Sequence, residues 1–301
     1  TFTWMQLCNR LLQMTGNSLY ADYMETAIYN ALMASLKADA SQIAKYSPLE
    51  GWRHEGEEQC GMHINCCNAN GPRAFAMIPQ FAYQVQDDCV RVNFYAPSEA
   101  ELVLPGKKPV RLKQTTDYPR TDQIEIEVDP AKETAFTIAL RIPAWSKIAV
   151  VSVNGQPQDG VLQGAYLPVN RKWKKGDRIT VKLDLRARLV ERNQAQAIVR
   201  GPIVLARDSR FGDGFVDEAS VVVSKDGYVE LTPVKAPGFA WLAFTAPMVL
   251  GTDLESNRAP KQIHFCDFAS AGNTWDKTQR YRVWLPKTLN VMHSPYRPYN
   301  Q

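Results

Sequence analysis

Apolar positions along the chain change period once, near residue 83. Before that point Met5, Cys8 and Leu12 follow helical spacing. Met24, Ile28, Leu32 and Leu36 then recur every four residues, flanked by Tyr20, Tyr23, Ala27 and Ala31. This predicts two helices, the second with a wide apolar stripe whose plain reading is core packing. Gly16-Asn17 supplies a stop between them, and Ser18 an N-cap for the second. A third helix is expected from about Asn70. Pro72 would sit in its first turn, Phe75, Ile78 and Phe81 would line one face, and Pro79 would kink or end it. Residues 37–65 are polar, charged and Gly-containing and read as one long loop. Ordered loops of this length are often functional.

From Tyr83 onward period two takes over. Strands are expected over 89–95, 124–128, 135–142, 148–153, 179–185, 198–205, 220–223, 228–231, 241–245 and 280–285. Turn signals separate them at Asn154-Gly155, Lys175-Gly176-Asp177 and Lys225-Asp226-Gly227. Short strands with regular turns argue for antiparallel sandwiches. The expected organisation is a helical part over 1–82 and a β-sandwich region over 83–301, with two sandwich modules and a linker or insertion near 251–260. Three helices cannot cover their own stripes as a separate large domain. The chain therefore reads as the C-terminal part of a longer protein.

Composition narrows the function classes. Of 301 residues, 45% are apolar and 22% charged, and the net charge is +4. Positive and negative residues are interspersed, without a basic block, so a nucleic-acid partner is not expected. No apolar run approaches the ~18 residues of a membrane helix. A signal segment is not visible.

Chemistry concentrates in the six cysteines, of which Cys60, Cys66 and Cys67 fall within eight residues. Neighbours in sequence rarely bond to each other, since a disulfide needs Cα atoms further apart than one peptide unit sets them. Cys66 and Cys67, close to a helix N-terminus, point to metal ligation, thiolate chemistry or both. Cys60, His63, Cys66 and Cys67 are competent zinc ligands, but four donors in eight residues are cramped, and buried inert cysteines are a further alternative. Cys8, Cys89 and Cys266 read as small buried hydrophobes. His54, Glu55, Glu57 and Glu58 crowd the same loop, where a solvated acidic stretch is the plain reading.

Several segments together resemble family 127 glycoside hydrolases, the β-L-arabinofuranosidase-like proteins, and the related family 146. They are the run Cys66-Cys67-Asn68-Ala69-Asn70-Gly71-Pro72-Arg73, Leu140-Arg-Ile-Pro-Ala-Trp-Ser146, Val153-Asn-Gly155, Trp173-Lys-Lys-Gly-Asp177, Arg200-Gly-Pro202, Asp267-Phe-Ala-Ser-Ala-Gly-Asn-Thr-Trp275 and Tyr281-Arg-Val-Trp-Leu-Pro286. The resemblance implies an α+β multidomain fold, with the last helices of an (α/α)6 barrel followed by antiparallel β-sandwich domains. It implies a zinc cofactor, Cys66 as nucleophile that also touches the metal, and Cys67 as a zinc ligand. The family's Glu-x-Cys ligands and its acid/base Glu would lie ahead of Thr1, so this chain by itself is expected to be inactive. The implied partner is a glycan ending in an L-arabinofuranoside or a related plant sugar, met in the periplasm or outside the cell. Trp52, His54 and His63 are the candidate substrate-binding residues. A homo-oligomer is left open. A rival reading is a non-catalytic carbohydrate-binding or structural sandwich using Trp145, Trp173, Trp241, Trp275 and Trp284.

Overall fold

The computed structural model describes residues 1–54, 66–251 and 259–288, and the chain divides into two compact units. One unit contains residues 1–35, 66–185 and 201–203. The other contains 36–54, 186–200, 204–251 and 259–288.

The first unit opens with α1 (Phe2–Thr15), ended by Gly16 in the left-handed region at φ 67°, whose N–H returns to Leu12 O. The cap of α2 (Leu19–Thr26) differs from expectation. Ser18 makes no capping bond, because its hydroxyl donates to Gly164 O at 2.6 Å; Asn17 Oδ1 accepts from Leu19 N instead. The stripe continues past α2 as a π-helical stretch over Ala27–Leu32 and a 3-10 turn over Met33–Ser35. The Asn30 side chain donates to Thr26 O, the carbonyl that an α-helix would reserve for Asn30 N–H, and so widens the turn. Leu36 lies outside the helix and only half-buried, so the stripe ends at Leu32.

α3 spans Cys66–Ala82 and so begins four residues before the expected Asn70. Pro72 is an interior residue, and Pro79 neither ends the helix nor stops it short of Ala82. Each proline removes one i→i−4 bond. Tertiary contacts compensate: Ala74 and Phe81 bury in a core with Met5, Cys8, Leu12, Met24, Ile28 and Leu32.

The sandwich follows. Its strands are β1 (Tyr83–Gln86), β2 (Cys89–Val92), β3 (Ser98–Leu104), β4 (Lys108–Thr116), β5 (Gln123–Pro130), β6 (Thr134–Ile142), β7 (Val150–Val153), β8 (Gln156–Pro157), β9 (Ala165–Trp173) and β10 (Asp177–Lys182). One sheet has the order β9-β6-β2-β1 and the other β3-β4-β5-β10-β7-β8. Inward positions such as Val90, Ile138, Leu140 and Trp173 meet Leu112, Ile126, Val128 and Val181 in one core. The pairing is not wholly antiparallel. β2 runs parallel to β6, with Val90 opposite Ile138 and Val92 opposite Leu140.

In the second unit the central strand order is Ser220–Val222, Ala243–Leu250, Lys261–Asp267, Ile203–Asp208, Ala195–Arg200, Ala187–Arg192 and Tyr228–Val229. The stretch 198–205, read as one strand, is two strands joined at Gly201-Pro202. Gly201 has φ 55°, and a Cβ there would fall 2.4 Å from Leu185 Cδ2, so the turn requires glycine. The expected linker near 251–260 falls mostly outside the described residues.

One buried cluster ties the helices of the first unit to its sandwich. Arg141 on β6 is fully buried and bonds both Asp22 and Glu25 of α2, the second at 2.6 Å. Its Nε donates to Asn93 O at 2.6 Å. Asp22 Oδ2 accepts from Ala144 N at 2.8 Å, and Tyr118 OH donates to Glu25 Oε1 at 2.9 Å. Glu25 Oε2 has no partner among the described residues. Burial is the largest influence on the Glu25 carboxyl and pushes its pKa above the ordinary 4.5, outweighing the attraction of Arg141.

Two outcomes are expected. Arg141→Met strands two buried carboxylates and should cost about 3–5 kcal/mol in chemical denaturation. Because the folded pKa of Glu25 is raised, its contribution is fully present below its unfolded value and is lost as pH rises through the folded one. Glu25→Gln should therefore flatten the fall in denaturation midpoint as pH is raised from about 4.5 toward neutrality; an unchanged slope would assign that fall to other groups.

Candidate active site

The first turn of α3 holds both adjacent cysteines. Cys66 is exposed and Cys67 half-buried, and neither is in a disulfide. At 3.6 residues per turn the two thiols stand about 100° apart around the helix. Cys67 falls on the side of Gly71 and Ala74, which are buried. Cys66 falls on the side of Asn70, Arg73 and Met77, at i+4, i+7 and i+11.

The Cys66 side of α3 runs along α1. The Arg73 guanidinium lies 4.7 Å from the centre of the Phe2 ring, and Gln6 Nε2 donates to Met77 Sδ at 4.0 Å. Going from Phe2 to Gln6 corresponds to going from Arg73 to Met77, so the two helices run in the same direction. Arg73 Nη1 also donates to Asn70 Oδ1 at 3.2 Å.

The other cysteines differ. Cys8 and Cys266 are buried, and burial pushes both thiols up. Cys89 was expected to be buried and is half-buried, because it begins β2 near the Asp87-Asp88 turn; burial still pushes its thiol up. Two adjacent thiols are the soft donors that zinc accepts, enough for half of a tetrahedral set. Among the described residues no group of three or more His, Cys, Asp or Glu side chains is placed to hold a metal.

The proposed sugar-contacting residues fall elsewhere in the chain. Trp52 and His54 belong to the second unit. Trp52 is half-buried with the Arg280 guanidinium 5.2 Å from its ring centre, and His54 is exposed. His63 lies outside the described residues, as do Cys60, Glu55, Glu57 and Glu58. Between Trp52 and His54, Arg53 points inward. It donates to Ala269 O at 2.8 Å and to Phe268 O, and lies over the rings of Phe268 and Tyr281. Sequence reasoning missed Arg53, and also Asp22, Glu25 and Asn93. The available signal was the i, i+3 spacing of Asp22 and Glu25 around Met24, two acids inside an apolar stripe. Of the five tryptophans considered for sugar stacking, Trp145 and Trp173 are core residues, and Trp173 Nε1 is spent on Phe136 O at 3.0 Å.

Comparison with known proteins gives the family and the fold. Residues 1–80 match the family model described as β-L-arabinofuranosidase, GH127 catalytic domain, and residues 89–185 match the one described as its GH127 middle domain. Together the two matches take in more than half of the chain. A curated relative, the non-reducing end β-L-arabinofuranosidase of Bifidobacterium longum subsp. longum, is 26% identical over 222 residues, covering 65% of this chain and 32% of that protein. The solved GH127 β-L-arabinofuranosidase of Geobacillus stearothermophilus T6 has a TM-score of 0.77 at 21% identity, over 95% of this chain and 49% of that one. A second solved GH127 β-arabinofuranosidase also gives 0.77, at 23% identity, over 95% of this chain and 48% of that one. Both structural likenesses show the fold. The chain spans about a third of the curated relative's length and about half of each solved structure.

Exposure orders the thiols. In metal-free native protein, iodoacetamide should label Cys66 first and Cys67 more slowly, and should reach Cys8 and Cys266 only after denaturation. Peptide mass spectrometry across a labelling time course reads this order.

Proposed function

This chain belongs to the GH127 family, and on that premise we propose that it carries the nucleophile of a retaining glycoside hydrolase acting on terminal L-arabinofuranosides of plant glycans. Its relatives are glycoside hydrolases. The observation that carries the finer reading is the exposure of Cys66 at the first turn of α3, within the segment that matches the family's catalytic model.

The Cys66 sulfur, as thiolate, attacks the anomeric carbon. The C–S bond forms as the bond to the glycosidic oxygen breaks, and that oxygen takes a proton from a carboxylic acid outside this chain. Water then attacks the same carbon from the vacated face, the C–S bond breaks, and the water proton passes to that carboxylate. Two inversions give retention. Cys67, turned toward the buried side of α3, acts as a ligand rather than a nucleophile. Zinc, held by Cys66 and Cys67 with further donors from beyond this chain, would keep the attacking sulfur ionised at neutral pH.

The helices are proposed to be the last of an (α/α)6 barrel. Trp4, Leu7 and Met14 of α1 and Tyr23 of α2 are exposed and form an apolar outer side, with Trp4 and Tyr23 in ring contact at 5.8 Å. Further helices would cover them. Half of the site is proposed to come from outside this chain, which alone is proposed to be inactive. Action on plant glycans also implies an extracytoplasmic location.

The test uses the full-length protein. An arabinofuranosyl analogue with a trapping anomeric electrophile should leave its adduct on Cys66, and Cys66→Ser should lower kcat by ~10³-fold or more. Cys67→Ser should lose bound zinc by metal analysis. An adduct on any other residue would reject the role of Cys66.

A further inference from the structure

Arg73 is the one cationic side chain on the Cys66 side of α3. It stands two helical turns from the cysteine, with Asn70 between them. A solvated arginine would be the ordinary reading of an exposed helical position. Here, however, the side chain is held at two points. Its guanidinium lies over the Phe2 ring of α1 at 4.7 Å, and one Nη donates to Asn70 Oδ1 at 3.2 Å. Stacking plus an amide contact fixes a planar fork that otherwise has many rotamers. The Asn70 bond uses one of five N–H donors, and no other acceptor meets the guanidinium among the described residues. In α-helices long side chains lean toward the N-terminus, which here is the cysteine end.

We propose that Arg73 is a substrate-binding residue of the Cys66 site, offering its remaining N–H donors to oxygens of the bound sugar or of its leaving group. The proposal rests on the glycosidase reading above. The ligand chemistry it fits is a neutral polyol with adjacent oxygen acceptors, which a guanidinium fork can meet with paired hydrogen bonds. Asn70 and Phe2 then act as positioning residues that keep the fork on the nucleophile's side.

The experiment combines turnover and binding in the full-length protein. Arg73→Ala and Arg73→Lys are assayed with p-nitrophenyl β-L-arabinofuranoside, and the same changes are placed in a Cys66→Ser background for calorimetric titration with L-arabinose. Arg73→Ala is expected to lower kcat/KM about tenfold or more, mostly through KM. Arg73→Lys should recover only part, since it keeps the charge and loses the fork. Arabinose affinity in the Cys66→Ser background should fall in parallel, with Tm lowered by only a few degrees, since the Phe2 stack and Asn70 bond that are lost are weak at an exposed position. Turnover within twofold of the parent for Arg73→Ala would overturn the proposal and leave the glycosidase reading standing. Arabinose binding weakened by Arg73→Ala in a parent that turns over no arabinofuranoside would sustain Arg73 and sink the proposed reaction. A Cys66→Ser parent that binds no arabinose, with an inactive parent enzyme, would overturn both.

Discussion

A buried guanidinium stands at the centre of the bonds that tie the helices of the first unit to its sandwich. Arg141 is buried on β6 and reaches Asp22 and Glu25 on α2. A charge in that position is tolerable only with its partners in place, because desolvating an unpaired ion costs several kcal/mol. The pairing therefore works as a constraint more than as a source of stability. It allows one relative placement of α2 and β6, since a slide by one residue on either element would leave a buried charge unmet. Asn93 extends the constraint. Its carbonyl accepts from Arg141, its side-chain amide donates to Phe81 O in the last turn of α3, and its N–H donates to Ala82 O. One connected set of bonds thus links α2, β6 and the C-terminal end of the helix whose other end bears the cysteines.

That link matters because α3 is a poor helix by composition. It contains two interior prolines, a glycine and two asparagines, all of low propensity. Left to itself it would kink or fray. Packing of Ala74 and Phe81 against α1 and α2, together with the Asn93 anchor, holds it over 17 residues. The two thiols sit at the end furthest from the anchor, in the first turn of the helix. The proposed chemistry requires such a sulfur at the surface of a helical layer and backed by a rigid body.

The segments that resemble the glycosidase family serve mostly structural ends. Arg141, in the Leu140–Ser146 run, is the clamp. Trp145, from the same run, packs where a Cβ on Gly201 would come within 3.5 Å of it, so two separated motifs meet at one contact. Asn154 spans its turn by donating to Asp177 Oδ1 and accepting from Arg178 N, joining two further motifs. Asp267 accepts from Leu242 N and Ser270 N. The proposed chemistry lies in the Cys66–Arg73 run alone. Turn and clamp residues of this kind serve packing, and a fold by itself does not fix the reaction of the side chains mounted on it.

Much of this was legible in the chain. The stripe Met5-Cys8-Leu12 and the four-residue recurrence from Met24 to Leu32 are local patterns, and burial follows them. The change to period two near residue 83, the Asn154-Gly155 turn and the adjacency of Cys66 and Cys67 are likewise read from neighbours in sequence. Strands β3, β4 and β9 escaped notice because charged residues and prolines mask their alternation, and their apolar positions acquire meaning only opposite a partner sheet. The parallel pairing of β2 with β6, the start of α3 at Cys66, the burial of Asp22 and Glu25, and the placing of Arg73 over Phe2 were decided by tertiary structure alone. Each depends on residues tens of positions apart, and desolvation and pairing energies between such residues have no signature in the local sequence.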